Sequence, residues 1–196
     1  MKNLLRLTPV ILLLTSCAST KVISSWKLPE TGPLQFERIM AMVLVQDASV
    51  RRSGEAELVQ QIRRANAVPS YSVLNEEQLA NEAQVKRAVS ESGVDGIVVM
   101  RPVYNEQETN YVPGSYPMPY YSFYGYWGWA YPLAYSPGYY QTDRLVGVET
   151  NIYDISNEKL VWSGLTQTTN PTDVRKLVAE TAQKVRSEMR KYGFLE

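Results

Sequence analysis

The chain has 196 residues, with 20 Lys and Arg against 20 Asp and Glu and 44% hydrophobic side chains. That length and apolar fraction suit one ordinary domain with its own core, and the balanced charge speaks against nucleic-acid binding, which normally shows a basic face. With no histidine and a single cysteine, imidazole catalysis, an intramolecular disulfide and a multi-cysteine zinc site are all excluded.

Lys2 and Arg6 flank the start of an apolar run, Leu7–Leu14, which small residues and Cys17 follow. This is the signal-peptide pattern, and the run is too short to span a bilayer, which needs about 20 apolar residues. Leu14-Thr15-Ser16-Cys17 resembles the lipobox of bacterial lipoproteins. The resemblance implies removal of residues 1–16 and acylation of Cys17, palmitate being a typical acyl group. Ala18 is not the aspartate of an inner-membrane retention signal, so the expected address is the outer membrane, with a periplasmic domain. The mature chain then carries 18 basic and 20 acidic side chains, and nothing in that balance draws it to anionic lipid.

Residues 17–35 read as a lipidated tether, broken by Pro29, Gly32 and Pro33. A second reading stays open for this stretch, in which Val22–Trp26 pairs as an edge strand and Trp26 packs on the core. Residues 36–196 then form one α/β domain. Ile39–Val45 is a continuous apolar run, the mark of a strand covered on both faces. Ser49–Ala65 has helical spacing, with Arg51-Arg52, Arg63-Arg64, Glu55 and Glu57 read as its solvated face. Val68–Leu74 reads as a second strand. A helix starts at Asn75, where Gln78 makes a capping box, and ends at Gly93. Gly96–Met100 is the third strand, extending through Thr109.

Arg144–Asp154 and Lys159–Thr168 form a hairpin around Ser156-Asn157-Glu158. Asn170 and Pro171 are the expected cap and first residue of the last helix, whose stripe is Val174, Leu177, Val178, Thr181, Val185, Met189 and Tyr192. The order β-α-β-α-β, insert, β-β, α predicts a mixed sheet in two or three layers, with right-handed parallel crossovers.

With the lipobox, this order resembles the TolB amino-terminal-like domain of bacterial envelope lipoproteins, penicillin-binding-protein activators among them. The residues behind the resemblance are Gly93-Val94-Asp95-Gly96-Ile97-Val98-Val99, at a helix-to-strand junction, and Tyr153–Trp162, at the hairpin. It covers residues 36–110 and 141–196, and it implies an adaptor in envelope machinery and no enzyme.

Residues 109–142 hold no charged side chain, yet ten of the 14 tyrosines and two of the four tryptophans fall there. Five prolines and four glycines argue against a long helix or central strand. Disordered segments are normally charged and poor in aromatics, so this composition points to a binding surface. A protein partner, a membrane interface and the sugar rings of cell-wall glycan all suit Tyr and Trp. A fold-back that merely covers the sheet is also open. Tyr120, Tyr121, Tyr124, Tyr126, Trp127 and Trp129 are the densest cluster and the candidate contacts.

No G-x-S-x-G elbow, P-loop or dinucleotide-binding glycine motif occurs. Glu106 and Glu108 lie two apart on a strand and share a face. They are the one pair that suits a glycan-cleaving or Ca²⁺-binding alternative. The expectation is therefore an envelope lipoprotein acting as a binding or adaptor module, with no catalytic residue, no metal and no cofactor.

Overall fold

The computed structural model describes residues 19–112, 122–133 and 138–195. Its strands are β1 (Ser19–Lys27), β2 (Arg38–Val43), β3 (Asn66–Pro69), β4 (Gly96–Val112), β5 (Tyr139–Asp154) and β6 (Lys159–Thr169). Its helices are α1 (Ala48–Gln61), α2 (Glu76–Leu79), α3 (Glu82–Ser92), α4 (Phe123–Leu133) and α5 (Val174–Lys191). One mixed sheet runs β1-β6-β5-β4-β2-β3, with β2 parallel to β3 and β4 and the remaining pairs antiparallel. The expected α/β class and mixed sheet are thus present.

The chain reverses direction of travel at β2, so α1 and α3 fall on opposite faces of the sheet. Under α1 and α5, Ala41, Leu58, Met100, Trp162, Val178 and Phe194 belong to the larger core. On the other face, Met40, Leu74, Val89 and Val94 centre a smaller core beneath α3. Three layers therefore cover the β3-β2-β4 half, and two layers the half built from β5, β6 and β1.

Of the two readings of the amino-terminal stretch, the strand is the one found over Ser19–Lys27, so the tether expected across 17–35 does not hold there. β1 pairs antiparallel with β6 from Ser19↔Thr169 to Lys27↔Trp162. Buried Thr20 fixes its start: its hydroxyl donates to Glu180 Oε2 at 2.9 Å and accepts from the Thr168 hydroxyl at 2.9 Å. Trp26 does not join the core. It pairs with Ser163 on the face that no helix covers and stays exposed.

Several local readings are corrected. Strand β3 ends at Pro69, which has no N–H to extend the ladder, and Ser70–Ser72 form a 3-10 turn. The Asn75 capping box forms, but α2 stops after one turn because Asn81 caps a second helix, α3, accepting from the Gln84 N–H at 3.2 Å. The last helix begins three residues later than expected. Asp173 is its cap, accepting from the Lys176 N–H at 2.9 Å, while Asn170 turns away at φ 52° to accept from the Arg144 N–H at 2.8 Å.

The charged face expected on α1 is also corrected. Arg51 is buried and pairs with Glu76, and Glu55 has no exposed surface at all. Glu55 accepts from the Val43 N–H at 3.1 Å, the Ser70 hydroxyl at 2.6 Å and the Tyr71 N–H at 3.3 Å. It thereby joins α1 to the carboxyl ends of β2 and β3. Burial is tolerable because the carboxylate is hydrogen-bonded on both oxygens.

Candidate interaction surface

Strands β4 and β5 outrun the rest of the sheet. Ser19, Thr169, Leu145 and Glu106 pair in succession across β1, β6, β5 and β4. Beyond that row only residues 107–112 and 139–144 continue, paired to Val112↔Tyr139. At about 3.4 Å per residue these six pairs make a two-stranded arm of about 20 Å. A β-bulge between Pro102 and Tyr104 sets its faces. Past it, Glu106 and Glu108 share one face, and Thr109 and Tyr111 the other.

The arm changes character along its length. At its root lie Glu106, Glu108, Asp143 and Arg144; from Thr109↔Thr142 outward no side chain is charged. Thr109 and Thr142 hydroxyls meet at 2.9 Å, and the Tyr111 and Tyr140 rings stand 5.3 Å apart. Tyr111, Tyr139 and Tyr140 are all exposed. The Asp143 carboxyl is held below its usual range by the Gln141 amide, and then by that of Asn170.

Between the two strands of the arm lies α4, a short helix of 11 residues, where the breakers in 109–142 argue only against a long one. The helix holds one proline, Pro132, and only in its last turn; the insert's other prolines lie outside Phe123–Leu133. Ser122 starts it, its hydroxyl accepting from the Gly125 N–H at 3.2 Å and its carbonyl from the Tyr126 N–H at 3.0 Å. Rings then recur at spacings of three and four, the spacings that bring side chains together on a helix. Phe123 and Trp127 are 6.0 Å apart, Trp127 and Tyr131 stack at 5.2 Å, and Tyr126 and Trp129 stand at 6.0 Å.

Of the candidate contacts, the structure gathers Tyr124, Tyr126, Trp127 and Trp129 on α4, while Tyr120, Tyr121 and Cys17 lie outside the described residues. Tyr124 is 85% exposed, Tyr126 and Trp127 about half exposed, and Trp129 half-buried. No described residue of α4 belongs to either core. The described part of the insert therefore packs on neither core. Clustered exposed rings of this kind are a mark of interaction surfaces.

Glu106 and Glu108 do share a face, as their spacing predicts, and both stand exposed at the root of the arm. Glu108 pairs across from Asp143, another acid. Among the described residues no group of three or more His, Cys, Asp or Glu is placed to hold a metal ion.

Sequence reasoning missed a cavity of about 350 Å³ at the root of the arm, between α1, α5, the carboxyl end of β2 and the middle of β4 and β5. Val43, Met100, Val148 and Leu177 line it, with Arg144 and Asn105 at its polar rim. The Arg144 Nε donates to Asn105 Oδ1 at 2.9 Å. Its residues come from five separate elements, so no local pattern announces it.

No protein-family model matches the chain, and no curated protein matches its sequence. Among solved structures it is similar to a PelC dodecamer from Paraburkholderia phytofirmans, at 12% identity over 87% of this chain and 96% of that chain, with a TM-score of 0.44. It is similar to lipoprotein GNA1162 from Neisseria meningitidis, at 13% identity over 79% and 99%, with a TM-score of 0.40. A minor lipoprotein from Acinetobacter baumannii is similar at 8% identity over 80% and 94%, with a TM-score of 0.31. Among the described residues, no helix is long and apolar enough to cross a membrane.

Proposed function

We propose that this chain is a bacterial envelope lipoprotein, held in the outer membrane by acyl chains on Cys17, whose periplasmic domain acts as a non-catalytic binding or adaptor module. The recognition element is the aromatic end of the β4–β5 arm. One observation carries this reading: the described ends of the longest uncharged stretch, residues 109–112 and 139–142, run on as paired strands past the rest of the sheet, and the described rings of that stretch are largely exposed. Tyr and Trp offer large rigid area with a polar tip, the chemistry that dominates recognition surfaces.

Anchor and arm work together. Confinement to one membrane raises the effective concentration of anything in the same layer, so weak ring contacts suffice. The lipobox resemblance supports the anchor, and the TolB-like element order agrees with an adaptor role. The test is to excise residues 113–138, joining Val112 to Tyr139 through Asn-Gly, and to compare in-cell crosslinking of intact and excised protein at equal abundance and anchoring. Envelope contacts made by the intact protein alone are the expected result. Identical contact profiles would refute the arm as the recognition element.

A further inference from the structure

We infer that the tip of the β4–β5 arm seats in the lipid headgroup layer of the membrane that holds the Cys17 acyl chains. This rests on the reading of Cys17 as the anchor and of the arm as the recognition element, and it names what the arm meets.

The geometry is that of one sheet end. Cys17 lies two residues before Ser19, and two fully extended residues span about 7 Å. Ser19 is not free to wander, because Thr20 is buried against Thr168 and Glu180. The anchor therefore leaves the domain within about 7 Å of the Ser19–Thr169–Leu145–Glu106 row. From that same row the arm projects about 20 Å, opposite to the direction in which β1 runs on from Ser19. A bilayer surface at the level Cys17 reaches cuts across the arm.

The charge pattern falls at the same level. The last charged pair, Glu108↔Asp143, lies two residues beyond the row, about 7 Å along the strand. Past it come the uncharged pairs, with Tyr111, Tyr139 and Tyr140, and α4 with its rings. Charged side chains are costly below a membrane surface, whereas Tyr and Trp favour the headgroup level, where one end of the ring is apolar and the other wet. The stretch that would enter the interface is thus the stretch that lacks charge. The opposite end of the sheet, at the β5–β6 turn, carries the charged residues Asp154, Glu158 and Lys159.

The arm acts as a second, non-covalent foot. Acyl chains alone leave a domain free to swivel, and a rigid aromatic foot fixes which end faces the bilayer.

The test uses the acylated protein in vesicles of phosphatidylethanolamine and phosphatidylglycerol, with ordinary or brominated acyl chains, and reads tryptophan fluorescence. Brominated lipid is expected to quench part of the emission. That loss should vanish in a Trp127→Phe/Trp129→Phe variant and persist in Trp26→Phe. Protein that floats with the vesicles but shows equal emission in both lipids overturns the inference. If photo-crosslinkers at the tip then capture a protein, the adaptor reading survives; if they capture nothing, it falls too. A chain that carries no lipid at Cys17 removes the anchor and overturns both.

Discussion

The Tyr104 hydroxyl donates to Gln167 Oε1 at 2.9 Å, bridging β4 and β6 across the strand between them. Its ring lies over Gly147 of β5, in the space where a Cβ would stand. The bulge makes this possible: Val103 is the extra residue, and it turns Tyr104 onto the uncovered face opposite Gly147. Burial, with the Glu106 charge second, raises the phenol above its ordinary value, so the O–H remains a donor at neutral pH. Tyr104 thereby braces the root of the arm against the sheet.

Gly147→Ala drives a methyl group into that ring. The expected loss is about 1–3 kcal/mol of stability, the usual cost of overpacking. Urea denaturation measures it. Removing the ring as well, in Tyr104→Ala/Gly147→Ala, should recover part of the loss, whereas strictly additive costs would contradict the contact.

Glu55→Ala leaves the Val43 N–H, the Ser70 hydroxyl and the Tyr71 N–H without their acceptor in a dry site. The expected cost is about 3 kcal/mol, because each orphaned donor loses its desolvation compensation. Glu55→Gln keeps one acceptor oxygen and should lose less. An alanine variant as stable as the parent would show that the site admits water freely.

Two carboxyls titrate below their usual range: Asp173, chiefly through the Lys176 N–H it caps, and Asp143, chiefly through Gln141. A depressed folded-state pKa stabilises the fold above the unfolded value of about 3.9, and the gain is lost as pH falls through the folded-state value. The thermal midpoint should therefore drop progressively below about pH 4. Asp173→Asn keeps a capping acceptor but flattens its share of that decline. A variant with an unchanged acid limb would contradict the assignment.

Excising residues 113–138 should leave the domain folded, within about 0.5 kcal/mol, since surface changes remote from the core seldom cost more. Val112 and Tyr139 already pair, and Asn-Gly closes a two-residue hairpin. Thermal unfolding of both forms decides. A large loss would mean that the aromatic end braces the sheet.

Cys17→Ala should accumulate as an uncleaved precursor lacking the lipid mass, as read by mass spectrometry of the membrane fraction. Normal processing and membrane retention of that variant would contradict the anchor.

The sheet and its main helices were legible because their signals are local. Ile39–Val45 and Gly96–Met100 are apolar runs, and Val178, Val185 and Met189 repeat at helical spacing. What failed were choices between near-equal local signals. Asn170 and Asp173 both suit a cap, and only the Asn170 bonds to Arg144 and Asp143, remote in sequence, decide which is used. Glu55 looked solvated because it is charged, yet it stands three residues before Leu58 on one helix face, a spacing that points inward. Of the candidate surface, the aromatic cluster and its lack of charge were plain in the sequence. Its projection past the Ser19 row depends on the register of four strands, which no single segment encodes.

The most direct test of the tip as the contact element is in-cell photo-crosslinking from position 127, compared with position 87 on the exposed face of α3. Adducts to lipid or to an envelope protein should form from 127 and be absent from 87. Adducts from 87 alone, or equal yields from both positions, would contradict the assignment of the aromatic arm.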